Sequence, residues 1–255
     1  MAKSTQLIQK IPQGRSDVSI GFEALRCYNN VAAMVVILFL LSSCKENDGG
    51  NILNSNRWES DIQAFEAYDN QVPPAEGSVL FIGSSSIMNW KTLSDDMNPV
   101  PVINRGFGGS TMSDLNYYRD RIIKNHKPKI VVVYEGDNDI AAGVSIEALI
   151  AEYENFIDYM EEEHSTVEIC FISIKPSPKR IDYWPSMKTA NFQLKKLIDI
   201  DSDRLCYLNI ANAMLDEYGE PNKKLFLSDE LHLNRQGYVI WSDVIRPKIL
   251  SIYAD

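Results

Sequence analysis

Histidine is scarce in this chain: 3 among 255 residues, with 4 cysteines, and no Cys/His cluster has zinc spacing. That excludes a structural zinc domain. Cations are also in short supply. There are 25 Lys and Arg against 35 Asp and Glu, a net charge of −10. So acidic a chain is a poor partner for nucleic acid, which rewards clustered Lys and Arg, and for anionic lipid. Long apolar runs are missing too. Residues 31–41 (VAAMVVILFLL) form an uncharged run of 11, well short of the ~20 residues that a permanent membrane-spanning helix needs. No internal repeat or second domain is visible. What remains is 45% hydrophobic, enough for one sizeable α/β core.

The first 50 or so residues stand apart from that core. The run 31–41 has the length of a signal-peptide h-region, and Leu41-Ser42-Ser43-Cys44 follows at once. This word resembles the lipobox of bacterial lipoproteins, in which small residues fit the signal peptidase and the cysteine thiol is acylated. Residues 1–43 are expected to be that signal. They carry four basic and two acidic residues, so their removal takes the charge from −10 to −12. Residues 44–55, polar and rich in Gly and Asn, read as a flexible tether, and 56–255 as the folded domain. The expected location is the bacterial cell envelope, with the membrane reached only through a lipid on Cys44. Cys170 and Cys206 fall in apolar strand-like runs; two buried thiols are expected, with a disulfide between them the alternative in an oxidising compartment.

From residue 56 strands and helices alternate, the pattern of a parallel sheet with helices on both faces. Trp58, Ile62, Phe65 and Tyr68 recur at helical spacing. Strands are expected at 78–82, 100–103, 130–134, 167–174 and 205–210, and helices near 111–125, 145–163, 182–200 and 234–253. Asn234 is placed to cap the last helix. The β-branched run IVVVY at 130–134 reads as a central strand buried on both faces. The expected fold is α/β: a three-layer α/β/α, flavodoxin-like sandwich whose five-stranded parallel sheet has the order 2-1-3-4-5.

Four short words carry chemistry, and the first three leave strand ends, where such sheets gather ligand groups. Gly83-Ser84-Ser85-Ser86 offers a hydroxyl nucleophile among helix-start amides; a serine here can also be a plain N-cap. Residues 104–111 (NRGFGGST) bring backbone N–H groups near a ligand oxygen, or form a tight turn. Their spacing does not fit a dinucleotide loop. In Gly136-Asp137-Asn138-Asp139 a side-chain amide can donate to an oxyanion, or the stretch is a solvated turn. Glu135, Asp137, Asp139 and Asp229 lack calcium-loop spacing, so no metal is expected. Asp229 and His232 lie three apart, close enough for the carboxylate to orient the imidazole as a base. His126 and His164, in polar flanks, read as solvent-exposed loop residues.

VLFIGSSS, NRGFGGST, EGDND and DELHL resemble, in order and spacing, the four blocks of the SGNH (GDSL-type) hydrolases, near their platelet-activating-factor acetylhydrolase-like and lysophospholipase-like branch. The resemblance spans about residues 77–250. It implies Ser85 as nucleophile, Asp229 and His232 as its triad partners, and an oxyanion hole made of the Ser85 N–H, Gly109 and Asn138, with no cofactor. One departure is Ser84, where the family has an acidic residue. The expected activity is a serine esterase. No added apolar segment offers a lid or groove for a long acyl chain, so short, acetyl-type esters are expected, with carbohydrate esters in view because Tyr183 and Trp184 in the basic, polar loop 175–187 could stack on a sugar. The alternatives are a lysophospholipase or thioesterase for longer acyl chains, and a non-catalytic carbohydrate-binding lipoprotein.

Overall fold

The run IVVVY becomes the middle of the molecule. In the computed structural model, which describes residues 56–201 and 204–254, it forms β3 (Ile130–Tyr134), buried at every position. Around it lie β1 (Val79–Gly83), β2 (Val102–Gly106), β4 (Glu168–Ile172) and β5 (Leu205–Leu208), all parallel, in the order β2-β1-β3-β4-β5. This is the expected topology. The expected signal, the Cys44 site and the tether lie outside the described residues.

Strand alternation divides the core in two. Leu80, Ile82, Val131, Val133, Ile169 and Phe171 face α1 (Glu59–Gln71), α4 (Met112–Ile123), α6 (Ile146–Glu163) and α7 (Trp184–Asp201). Val79, Phe81, Val132, Tyr134 and Ile172 face α2 (Ser85–Met88), α3 (Leu93–Met97) and α8 (Arg235–Ala254). A third short helix, α5 (Asp137–Ala141), follows β3 and belongs to the functional edge. Asn234 caps α8 as expected, its Oδ1 accepting from the N–H groups of Gln236 (2.9 Å) and Gly237 (3.2 Å).

Four expectations are corrected. Cys170 and Cys206 are joined in a disulfide. They occupy one register pair of β4 and β5, with Cα atoms 4.5 Å apart, within bonding span; sequence spacing alone does not reveal that register. His126 is buried, its Nε2 lying 3.0 Å from Asp69 Oδ2. Burial pushes its pKa down, against the pull of Asp69. His164 is half-buried, 3.4 Å from the Tyr159 hydroxyl. For His126 the covering neighbour is distant in sequence; for His164 it is Tyr159, on the last turns of the preceding helix. β2 also begins two residues later than expected, after Pro101, because proline has no N–H for the ladder.

The order β2-β1-β3 sets three adjacent strand ends side by side. These ends carry three of the four chemical words. The fourth returns to the same edge in the loop just before α8.

Candidate active site

Gly83 ends β1 with φ +136, and a Cβ there would lie 2.0 Å from the Tyr134 carbonyl oxygen. Only glycine fits this turn. It hands the chain to Ser84, whose N–H bonds that same oxygen at 3.1 Å, and then to α2. Ser84 sits at the N-cap position without a side-chain cap bond, and it is fully buried. Ser86 is buried as well, and its carbonyl accepts from the Tyr238 hydroxyl at 2.9 Å, which ties α2 to α8. Of the three serines, Ser85 alone is partly open to solvent.

Ser85 Oγ lies 3.2 Å from His232 Nε2, and His232 Nδ1 lies 2.7 Å from Asp229 Oδ2. The loop that makes this possible is closed locally. Asp229 Oδ1 accepts the N–H groups of Leu231 (3.0 Å) and His232 (2.9 Å), and Glu230 takes a left-handed φ of 57. The His232 hydrogen bond is the largest cause holding the Asp229 carboxyl down at about 2. It is therefore ionised at neutral pH, as an orienting group must be.

Gly109, with φ +82, closes the loop after β2, and a Cβ on its neighbour Gly108 would sit 3.9 Å from Ser85 Cβ. The Trp58 indole donates to the Gly108 carbonyl at 3.0 Å. Among the described residues, the N–H groups of Ser85 and Gly109 have no other hydrogen-bond acceptor. Asn138, in α5, donates from Nδ2 to the Ser110 carbonyl at 2.9 Å. An sp² amide has a second N–H. The structure thus brings Ser85, His232, Asp229, Gly109 and Asn138 to one edge of the sheet.

The EGDND word is buried rather than solvated. Asp139 Oδ1 accepts from the Met112 N–H (2.9 Å) and Oδ2 from the Gly136 N–H (3.1 Å), joining α5 to the start of α4. Burial, the largest cause, raises its pKa to about 7. Burial also pushes Glu135 well up. Ser110 Oγ lies 2.5 Å from Glu135 Oε1 and 3.0 Å from the Phe107 carbonyl. One hydroxyl proton cannot serve both, and a neutral Glu135 that donates to Oγ satisfies the pair. Asp137 is treated differently. Burial alone would raise it, but Lys175 Nζ (2.6 Å) and Arg180 Nη1 (3.0 Å) hold its carboxyl below the ordinary value. No cluster of metal-ligating side chains occurs among the described residues.

A cleft of about 780 Å³ opens at Gly109 and Asn138. Its aromatic lining comes from Trp58 and Tyr117, and its cations are Arg57 and Arg180. Tyr183 and Trp184, expected to line a sugar site, are not among its walls: Trp184 is buried in the core and Tyr183 points outward from the turn before α7. Arg57, Tyr117 and Arg180 were not singled out by sequence reasoning. The basic character of the loop 175–187 was the one available signal.

Residues 78–240 match the family model of the GDSL-like Lipase/Acylhydrolase family. Among solved structures, a Streptococcus pneumonia protein named after platelet activating factor has a TM-score of 0.67 at 20% identity, covering 87% of this chain and 100% of that one. A GDSL-like lipase from Bacteroides thetaiotaomicron has a TM-score of 0.65 at 17% identity, covering 74% and 97%. A family 3 carbohydrate esterase from Clostridium thermocellum gives 0.56 at 14% identity, covering 71% and 98%. At these identities the likeness speaks for the fold. No curated protein matches the chain.

Proposed function

From a chain that belongs to the GDSL-like lipase/acylhydrolase family, we infer a serine esterase that hydrolyses short, acetyl-type esters, with acylated carbohydrates as its substrates. The observation that carries this reading is the unbroken line Ser85 Oγ, His232 Nε2, His232 Nδ1, Asp229 Oδ2, with contacts of 3.2 and 2.7 Å. Ser85 Oγ attacks the ester carbonyl while its proton passes to Nε2. The Ser85 and Gly109 N–H groups and the Asn138 amide receive the oxyanion. Nε2 returns the proton to the departing alcohol, and water, activated by the same nitrogen, hydrolyses the acyl-enzyme. No cofactor is needed for any of these steps.

The substrate reading is supported by the cleft. Its walls set Arg57, Asp114, Asn138, Glu152 and Arg180 beside small apolar side chains such as Ala141 and Ala142, a lining suited to a short acyl group on a polar alcohol. The fold is shared with carbohydrate esterases. A lipid on Cys44 would hold the enzyme in the cell envelope facing glycans, and a disulfide between Cys170 and Cys206 suits an oxidising compartment.

A series of p-nitrophenyl and sugar esters of graded acyl length tests this. The expected kcat/KM is highest for acetyl and falls toward chains of about eight carbons. A steady rise with chain length instead would replace this reading with a lysophospholipase or thioesterase.

A further inference from the structure

We propose that Arg180 is the positioning residue of the oxyanion site, fixing and polarising the Asn138 amide so that its Nδ2 donates to the ester oxygen. The inference rests on the esterase reading and deepens it. Arg180 Nη2 lies 2.8 Å from Asn138 Oδ1. A guanidinium only donates, so this contact excludes the flipped amide, which would turn an acceptor toward the oxyanion. The amide is then held at both ends: Oδ1 by Arg180, and one Nδ2 hydrogen by the Ser110 carbonyl at 2.9 Å. The second hydrogen is left for a ligand. A cation on the amide oxygen also draws charge from the nitrogen and strengthens that remaining donor.

The charge count behind Asn138 points the same way. Lys175 Nζ, with a side chain only 2% exposed, already pairs with Asp137 Oδ2 at 2.6 Å. Arg180 adds a second cation to the same oxygen at 3.0 Å. The group Asp137, Lys175 and Arg180 therefore carries one net positive charge, largely buried, directly behind the amide. Neutralising Asp137 does not require it. A fixed positive charge where negative charge develops only in the transition state lowers the barrier rather than tightening ground-state binding. Arg180 is also kept in step with the base. Its neighbour Lys179 donates its N–H to the Glu230 carbonyl at 3.0 Å, inside the loop that carries His232.

Arg180 lines the cleft as well, so the test must separate action through Asn138 from contact with the substrate. A double-mutant cycle on p-nitrophenyl acetate does so, using wild type, Arg180→Met, Asn138→Ala and the double variant. Arg180→Met should lower kcat by about 10-fold or more with KM nearly unchanged, a smaller loss than the 10²–10³ typical of an oxyanion donor. In the Asn138→Ala background the same substitution should change kcat by less than about 2-fold. Equal losses in both backgrounds, or a loss confined to KM, would overturn the proposal and make Arg180 a substrate contact. Thermal melts check folding. Should Arg180→Met not fold, Arg180→Lys is read in the same cycle: it keeps the charge but loses the fork, and is expected to recover only part of the rate. Phosphonylation of wild-type Ser85 serves as the control. A protein with no labelling and no turnover defeats the esterase reading itself; an additive cycle in an active enzyme defeats this proposal alone.

Discussion

Asp229 takes three hydrogen bonds from two consecutive residues, the N–H groups of Leu231 and His232 on Oδ1 and the imidazole Nδ1 on Oδ2. Replacing it with Asn keeps the shape but presents an N–H to Nδ1 and favours the wrong tautomer. Asp229→Asn is expected to lower kcat by about 10²–10⁴, with KM little affected. Steady-state kinetics on an acetyl ester would check it, and an effect mainly on KM would remove the orienting role. This pair was legible in the sequence because the contact is local, closed by a four-residue turn. Arg180 was not, because its partners Asp137 and Asn138 lie more than 40 residues away and meet it only through the sheet order.

The junction of β3 and α5 stores two carboxyls that the fold keeps partly neutral. The ordinary values of Asp139 and Glu135 are 3.8 and 4.5, and burial raises Asp139 to about 7 and Glu135 well up. Between about pH 4 and 7 the folded chain thus keeps protons that the unfolded chain has released, so these groups make stability fall as pH rises through that window. Glu135→Gln removes one of them and mimics its neutral form. Urea melts at pH 5 and pH 8 should show a smaller drop for the variant than for wild type; parallel drops would mean that Glu135 is ionised in the fold. The strand-end position of this word was readable from IVVVY, whose β-branched run admits one placement. Its burial was not. Gly, Asp and Asn are turn residues by local chemistry, and it takes Tyr153 of α6 with Ile174, Lys175 and Arg180 after β4, packed around them, to make the turn dry.

Across the whole molecule, parallel topology and helix layers followed from the alternation of apolar runs, and three of the words followed strands whose ends the order β2-β1-β3 sets side by side. Contacts between elements distant in sequence were the part that could not be read, the disulfide and the buried His126 among them. The envelope assignment rests on residues 41–44, and Cys44→Ser tests it: the wild-type protein should partition into detergent and the variant into the aqueous phase. A wild-type protein already aqueous and unacylated would defeat the anchor. The central claim is that Ser85 is the nucleophile of this site. Mass spectrometry of the whole protein after a fluorophosphonate, with peptide mapping, tests it most directly. A single adduct on Ser85, lost in Ser85→Ala, is the expected result. An adduct on Ser84 or Ser86, or none on a folded protein, would contradict the account.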